Sequence, residues 1–394
     1  MKKYIFILFI LLIICTSCRH EKVETDGTDI EIIQAKTTIK EDVLDLFDEV
    51  KIVDLETTSS SLVGLSIDRI EIYGNKIFAL NSLQSHNNIL CFDFSGKYLF
   101  GIDRRGQGPE EYASLYDFLI DKNLHHLVLH CDDRSFLHFD MQGNFLYGVK
   151  PDDNYSAMYS IYLNDSTYLA FNDATFQPDN KESLIYIDSK TMNIRHKSNS
   201  INEYFHSAGN KPLCINNNKI LCLAYSDTIY DISDMHATYA KYFVYYSDIQ
   251  VKEKERLHRN MDKMGYEELI RFDMESYGKG ETMWISAMYE TNKYLVFSCM
   301  KAIPNTDNNI NYALFYDKVN KKTYDSENID FDGFRVKDFS IAGVADGALY
   351  CVLSMEITDR DKKQIKNSSV FNEIDRKKLL KHQDDDNPLI LILK

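Results

Sequence analysis

Two stretches of this chain are copies of one another. Leu90-Cys91-Phe92-Asp93-Phe94-Ser95-Gly96-Lys97-Tyr98-Leu99-Phe100 aligns with Leu137-His138-Phe139-Asp140-Met141-Gln142-Gly143-Asn144-Phe145-Leu146-Tyr147, and the two aspartates stand 47 residues apart. Each copy is a pair of apolar, strand-like runs joined by a D-x-x-G turn. The turn has a mechanism: Asp accepts hydrogen bonds from backbone amides just ahead of it, and Gly supplies the positive φ of a tight hairpin. A weaker third copy, Ile185-Tyr186-Ile187-Asp188 followed by Asn193-Ile194, lies 48 residues further on. Self-similarity at this period, with a hairpin in each copy, restricts the chain to architectures built by repeating one small sheet.

Further strand-like runs flank these hairpins. Grouping four short strands per unit gives six units, at about 68–103, 116–150, 158–197, 211–246, 283–326 and 334 to the end. Units of roughly 40–50 residues with four strands are propeller blades, so the expected fold is an all-β, six-bladed β-propeller spanning 46–394. The last unit is one strand short. An isolated run at 50–55 can supply that strand and close the ring. The 26 Tyr and 22 Phe, against six Pro and one Trp, favour strands over helices. A β-sandwich or a two-domain chain is the alternative that 394 residues allow. Two stretches break the β pattern. Leu257, Met261, Met264, Leu269 and Phe272 recur at helical spacing within 251–276. A second helical insertion is expected at 368–383, with Ser368 or Ser369 as its cap and Asp384-Asp385-Asp386-Asn387-Pro388 as its end.

The N-terminus reads differently. Lys2 and Lys3 precede an apolar run of 11 residues, Tyr4 to Ile14, too short to cross a hydrocarbon layer of about 30 Å. It reads as a signal peptide over 1–17. The run ends in Cys15-Thr16-Ser17-Cys18, the pattern of a bacterial lipobox that makes Cys18 the acylated first residue of the mature chain. Acyl chains attach a protein to a membrane without spanning it. Residues 18–45 are then the anchor and a polar, flexible tether, and the location is the cell envelope. Arg19 is not an inner-membrane retention residue, which points to the outer membrane. Plain secretion with cleavage nearby is the alternative.

A net charge of −15 without a basic stripe argues against nucleic acid as a partner. Cys91, Cys131, Cys214, Cys222, Cys299 and Cys351 each lie in an apolar run without C-x-x-C spacing, and read as buried thiols. No phosphate loop, G-x-S-x-G elbow or H-E-x-x-H helix is present, so no cofactor is expected. His125, His126, His130 and His138 gather near Asp132 and Asp133. Propeller metal sites usually draw ligands from several blades, so a core or surface role is expected of these histidines and a metal is not.

The segment Arg105-Gly106-Gln107-Gly108-Pro109-Glu110-Glu111-Tyr112 resembles the G-Q-G-P-G-E-Y signature of the six-bladed β-propeller lipoproteins of Bacteroidota-type bacteria. Glu110 stands where that signature has Gly. Leu55-Glu56-Thr57-Thr58, Ser226-Asp227-Thr228-Ile229-Tyr230 and Asp386-Asn387-Pro388-Leu389-Ile390 resemble further landmarks of the same family. The resemblance implies fold and envelope location, and brings no catalytic residue, because the family has no generally established activity. The signature connects the outermost strand of one unit to the innermost strand of the next. That path crosses one face of a propeller toward its channel, which makes Arg104, Arg105, Gln107, Glu110 and Glu111 candidates to line a ligand-binding mouth. The bland alternative is a tight turn with solvated charges. The function expected is non-enzymatic binding of a glycan, a peptide or an envelope protein. An envelope hydrolase or lyase with channel-mouth carboxylates, around a divalent cation, is the competing reading.

Overall fold

The computed structural model describes residues 30–394 except 132–134, 154, 156–158, 172–183, 199–210, 217–218, 224–226, 235–236, 249–274, 276–278, 280–282, 304–308, 332–333, 337–338 and 355–356. The expected signal peptide, Cys18 and the first part of the tether lie outside these residues, as does nearly all of the expected insertion at 251–276.

Six four-stranded antiparallel sheets follow one another at 66–102, 115–149, 159–198, 213–245, 284–326 and 339–393, and form a six-bladed propeller. The repeat length sets this outcome. Four strands of four to nine residues with short turns fill about 45 residues, and such a sheet is too small to bury both of its faces alone. Each blade therefore packs face to face with its two neighbours. Among the described residues the apolar core divides into six clusters, one at each junction between adjacent blades. Middle strands sit between two such clusters, so they read as continuous apolar runs. Ala348–Leu353 and Leu389–Leu393 are buried at every position. Outer strands such as Phe145–Val149 face solvent over most of their length.

The ring closes as the sequence predicts. Three N-terminal strands precede the first blade: β1 (Glu31–Gln34), β2 (Ile39–Lys40) and β3 (Val50–Asp54). Strand β3 pairs antiparallel with Leu389–Leu393 and becomes the outermost strand of blade 6, with Leu389 opposite Asp54 and Leu393 opposite Val50. The expectation of a flexible tether up to residue 45 is corrected here. Strand β1 adds a parallel fifth strand to blade 4, and β2 does the same for blade 5. A 3-10 turn, Val43–Leu46, then buries Val43, Leu44 and Leu46. The polar look of this stretch misleads because an added edge strand needs only its backbone and a few apolar contacts, here Ile33 and Ala35.

The aspartate turns have the geometry that the repeat suggests. Asp93 Oδ1 accepts from the amides of Ser95 and Lys97, and Asp140 Oδ1 accepts from those of Gln142 and Asn144. Gly96 and Gly143 close these turns at φ +90° and +84°. Asp188 and Asp317 build a turn one residue longer in blades 3 and 5, where each Oδ1 accepts from the amides two and three residues on and Met192 and Lys321 take the left-handed position. Strands alternate in direction, so the first–second hairpins of all six blades and the third–fourth hairpins of blades 1 to 5 share one face, the turn face. The connections between blades share the other, the connection face.

The second helical insertion is larger than expected and differently capped. Helix α1 (Asp359–Asn367) starts from a capping box in which Thr358 and Asp361 bond each other's backbone, and helix α2 (Glu373–Lys381) is capped by Asn372. Ser368 ends α1 instead of starting α2. Only Ile365 of α1 is buried, so that helix carries no apolar period for a sequence reading to detect.

Candidate functional site

The six innermost strands surround the central channel, and four of them repeat one irregularity. Those of blades 1, 2, 5 and 6 slip register after Ile67, Leu115, Ile285 and Ile341. A bulge inserts one residue and re-aims the side chains beside it. In blades 1 and 2 the residues just past the bulge are Arg69 and Asp117, which are 4% and 3% exposed. Arg69 Nη1 reaches both oxygens of Asp117, at 2.9 and 2.8 Å, and the carbonyl of Ser160 in blade 3 at 2.9 Å. Its Nε and Nη2 hold Glu71, at 2.9 and 2.6 Å. Asp117 also accepts from the Ser160 amide at 2.9 Å. Beneath the guanidinium lies the ring of Tyr159, 4.6 Å from Cζ to centroid. Burial works against charge at Arg69, but the carboxylates of Asp117 and Glu71 outweigh it and hold the guanidinium charged.

Lys211, which leads into blade 4, completes the arrangement from the opposite side. Its ammonium donates to the Asp68 carbonyl in blade 1, to the Ala342 carbonyl in blade 6 at 3.3 Å and to the Tyr289 hydroxyl in blade 5 at 3.4 Å. Tyr289 in turn donates to the Ile341 carbonyl at 2.5 Å. Burial, with Arg69 nearby, pushes the Lys211 pKa down to about 8. The two buried cations thus bond groups from blades 1, 2, 3, 5 and 6 across the channel, and Lys211 itself comes from the lead-in to blade 4. Their donors are spent on this cross-linking, so the cluster is a structural plug.

Each sequence-predicted mouth residue lies on the connection between blades 1 and 2, and most bond within it. Arg104 pairs with Glu110, and its guanidinium lies over Phe139. Glu111 turns back on its own loop, where its carboxylate accepts from the Gly108 amide at 2.8 Å and lies over Gly106. Arg105 reaches Ser85 at 3.3 Å, and Gln107 is exposed. Tyr112 anchors the loop by donating to the Ile102 carbonyl at 3.2 Å. The segment is therefore a self-braced turn on the connection face. None of the five hydrogen-bonds to the plug among the described residues.

Sequence reasoning overlooked what stands beside that turn. Leu62 and Leu65, in the connection from blade 6 to blade 1, are 55% and 69% exposed, and Tyr116, the bulge residue of blade 2, is 48% exposed. Leu65 directly precedes the innermost strand of blade 1, and Tyr116 lies within that of blade 2. Both border the channel mouth on the connection face, above Arg69 and Asp117.

Of the four clustered histidines, His130 and His138 are buried in the core, His126 is half-buried and His125 is exposed. His130 stacks on Phe136, with centroids 4.6 Å apart, and His138 stacks on Tyr147 at 4.4 Å. Burial pushes both pKa values down to about 4, with His126 adding to the effect at His138. The unfolded chain therefore binds more protons than the folded one between about pH 4 and 6.5. Stability is intact above that window and falls as pH drops through it, by up to about 1.4 kcal/mol per pH unit for each histidine. Urea titrations at pH 7 and 5 should show this loss, and His130→Phe should reduce it. An unchanged pH slope in the variant would refute the assignment. The six cysteines among the described residues are buried thiols in strands.

Comparison with known proteins agrees with this architecture. A Bacteroides fragilis protein inferred to be exported is 20% identical, with a TM-score of 0.69 over 92% of this chain and 99% of its own. A DUF4221-family member from Bacteroides vulgatus is 11% identical, with a TM-score of 0.51 over 88% and 96%. At these identities the likeness concerns the fold. No curated protein is significantly similar to the chain. The family described as a domain of unknown function, DUF4934, matches residues 28–394, which take in all six blades and the N-terminal strands, and the chain belongs to it.

Proposed function

We propose that this chain is an exported, lipid-anchored envelope protein whose propeller binds a partner at the connection-face mouth without transforming it. The observation that carries the reading is the pairing of an exposed apolar rim, Leu62, Leu65 and Tyr116, with a channel plugged by Arg69, Asp117 and Lys211. Exposed apolar side chains that border a channel mouth are candidate interaction sites. The plug commits Arg69, Asp117 and Lys211 to holding blades together, which favours binding at the surface over chemistry by these groups in the channel. Arg105 and Gln107, on the neighbouring connection, supply polar contacts for a glycan or an extended peptide. Export is supported by the N-terminal pattern ending at Cys18 and by the likeness to a Bacteroides protein inferred to be exported.

Screening envelope glycans and peptides by ligand-induced melting shift tests the binding role. A ligand found this way should lose at least about tenfold in affinity with a Leu65→Ser, Tyr116→Ser double variant. The unliganded melting temperature should barely move, since exposed substitutions usually cost within about 0.5 kcal/mol. Turnover of the ligand, or binding indifferent to both substitutions, would overturn the reading. For the anchor, Cys18→Ala should abolish palmitate labelling and detergent partitioning; equal partitioning of variant and wild type would refute acylation.

A further inference from the structure

Strand β1 runs parallel to the outermost strand of blade 4, Ala237–Tyr245, with Glu31 opposite Tyr242 and Gln34 opposite Tyr245. Outermost strands run from the turn face to the connection face, because each is followed by a connection to the next blade. The chain therefore enters the propeller from the turn face, at the junction of blades 4 and 5. Glu31 fixes this entry point by accepting from the Tyr316 hydroxyl and pairing with Lys321 at 2.7 Å. Only 12 residues, 19–30, separate Cys18 from Glu31. A flexible chain of that length has a root-mean-square reach of roughly 20 Å. That is too short to let an anchored propeller turn its far face to the bilayer at ease.

The surface at this entry point has a matching character. The third–fourth hairpin of blade 5 carries Lys318-Val319-Asn320-Lys321-Lys322, and Val319 at its tip is 76% exposed. Lys318 and Lys321 are paired with Glu290 and Glu31, so the exposed Val319 and the neighbouring Lys322 are what this hairpin offers to a bilayer interface, where an apolar tip can insert and a basic residue near anionic lipid adds about 1 kcal/mol.

We infer that the turn face at blades 4 and 5, with Val319 at its tip, rests on the membrane holding the anchor, and that the connection-face mouth points away from it. This orientation rests on the anchored reading of Proposed function and adds to it the surface that meets lipid. It would present Leu65 and Tyr116 to partners beyond the membrane.

The six strand cysteines are buried, so a single added cysteine can carry a fluorophore. Val319→Cys and Gln107→Cys, labelled separately, place it on opposite faces. The acylated proteins are reconstituted in phosphatidylethanolamine–phosphatidylglycerol vesicles containing headgroup-nitroxide lipid. In a second arm the chain from Arg19 onward is held to nickel-chelating vesicles by an N-terminal His tag, which supplies an anchor whether or not Cys18 is acylated. The label at 319 should be quenched at least about twofold and the label at 107 little changed. Inserting a long Gly/Ser stretch before Glu31 should reduce the difference. Equal quenching at both sites, or stronger quenching at 107, in the tagged arm overturns the orientation. The expected pattern in the tagged arm combined with no membrane association in the other supports the orientation and rejects the acyl anchor alone.

Discussion

Arg69→Met should destabilise the folded chain by about 3–5 kcal/mol, because it strands Asp117 in a site where that carboxylate is 3% exposed. Asp117 would keep the Ser160 amide as a donor but lose both guanidinium contacts, and Glu71 would lose its partner as well. The double variant Arg69→Met, Asp117→Leu removes both charges together. It should recover most of the loss, with about 1–2 kcal/mol remaining for the unpaired Ser160 amide. Urea unfolding of the wild type, both single variants and the double variant forms a cycle that reads the coupling directly. A cost below about 1 kcal/mol for Arg69→Met would show that the channel admits water and would undo the description of a plug. The same result would reopen the channel as a place for acid–base chemistry, so this stability measurement also bears on function.

Deleting Val50–Asp54 should abolish cooperative folding. Strand Leu389–Leu393 is buried at every residue, and without β3 its backbone becomes an unpaired apolar edge, the kind of surface on which chains aggregate. Ile52 and Val53 would also be lost from the clusters on either side of blade 6. A circular permutant separates closure from mere content. The Lys394 carbonyl accepts from the amides of Asp48 and Glu49 at 3.0 Å, so the chain end already lies beside the start of β3. Moving residues 30–55 as one block to follow Lys394 through a flexible linker, so that β1, β2 and the buried 43–46 turn are kept and Glu56 becomes the new N-terminus, should give a folded protein with a melting temperature near that of the wild type. An insoluble permutant alongside a soluble deletion would show that β3 is dispensable and the closure misassigned.

The legibility of these features follows from their physical range. The Asp93 and Asp140 turns could be read in the sequence because their chemistry is local: one side chain bonds amides two and four residues ahead, and one glycine takes positive φ. Blade limits followed from the same repeat to within a few residues, and the missing strand was identified by counting, since a blade one strand short must be completed from elsewhere. Helix α1 escaped notice because one buried isoleucine makes no periodic signal, although Thr358 and Asp361 stood at capping-box spacing. The five mouth residues were placed on the right connection, but the sequence could not show that Glu111 would spend its carboxylate on its own loop.

What the sequence by itself determined is the period, the turn chemistry and the apolar runs, and through them six blades and their closure. Tertiary structure alone decided the plug and the rim. Within its own strand, Arg69 looks like one more outward-facing charge, since alternation assigns sides only while register is unbroken. The bulge after Ile67 breaks that register, and blade packing then brings Asp117, 48 residues away, and Lys211, in blade 4, into the same channel. One clue was present: Arg69 and Asp117 stand one repeat apart, as Asp93 and Asp140 do, and so occupy equivalent places in neighbouring inner strands. Whether opposite charges at equivalent places meet or point apart depends on the angle between blades, which no local interaction encodes.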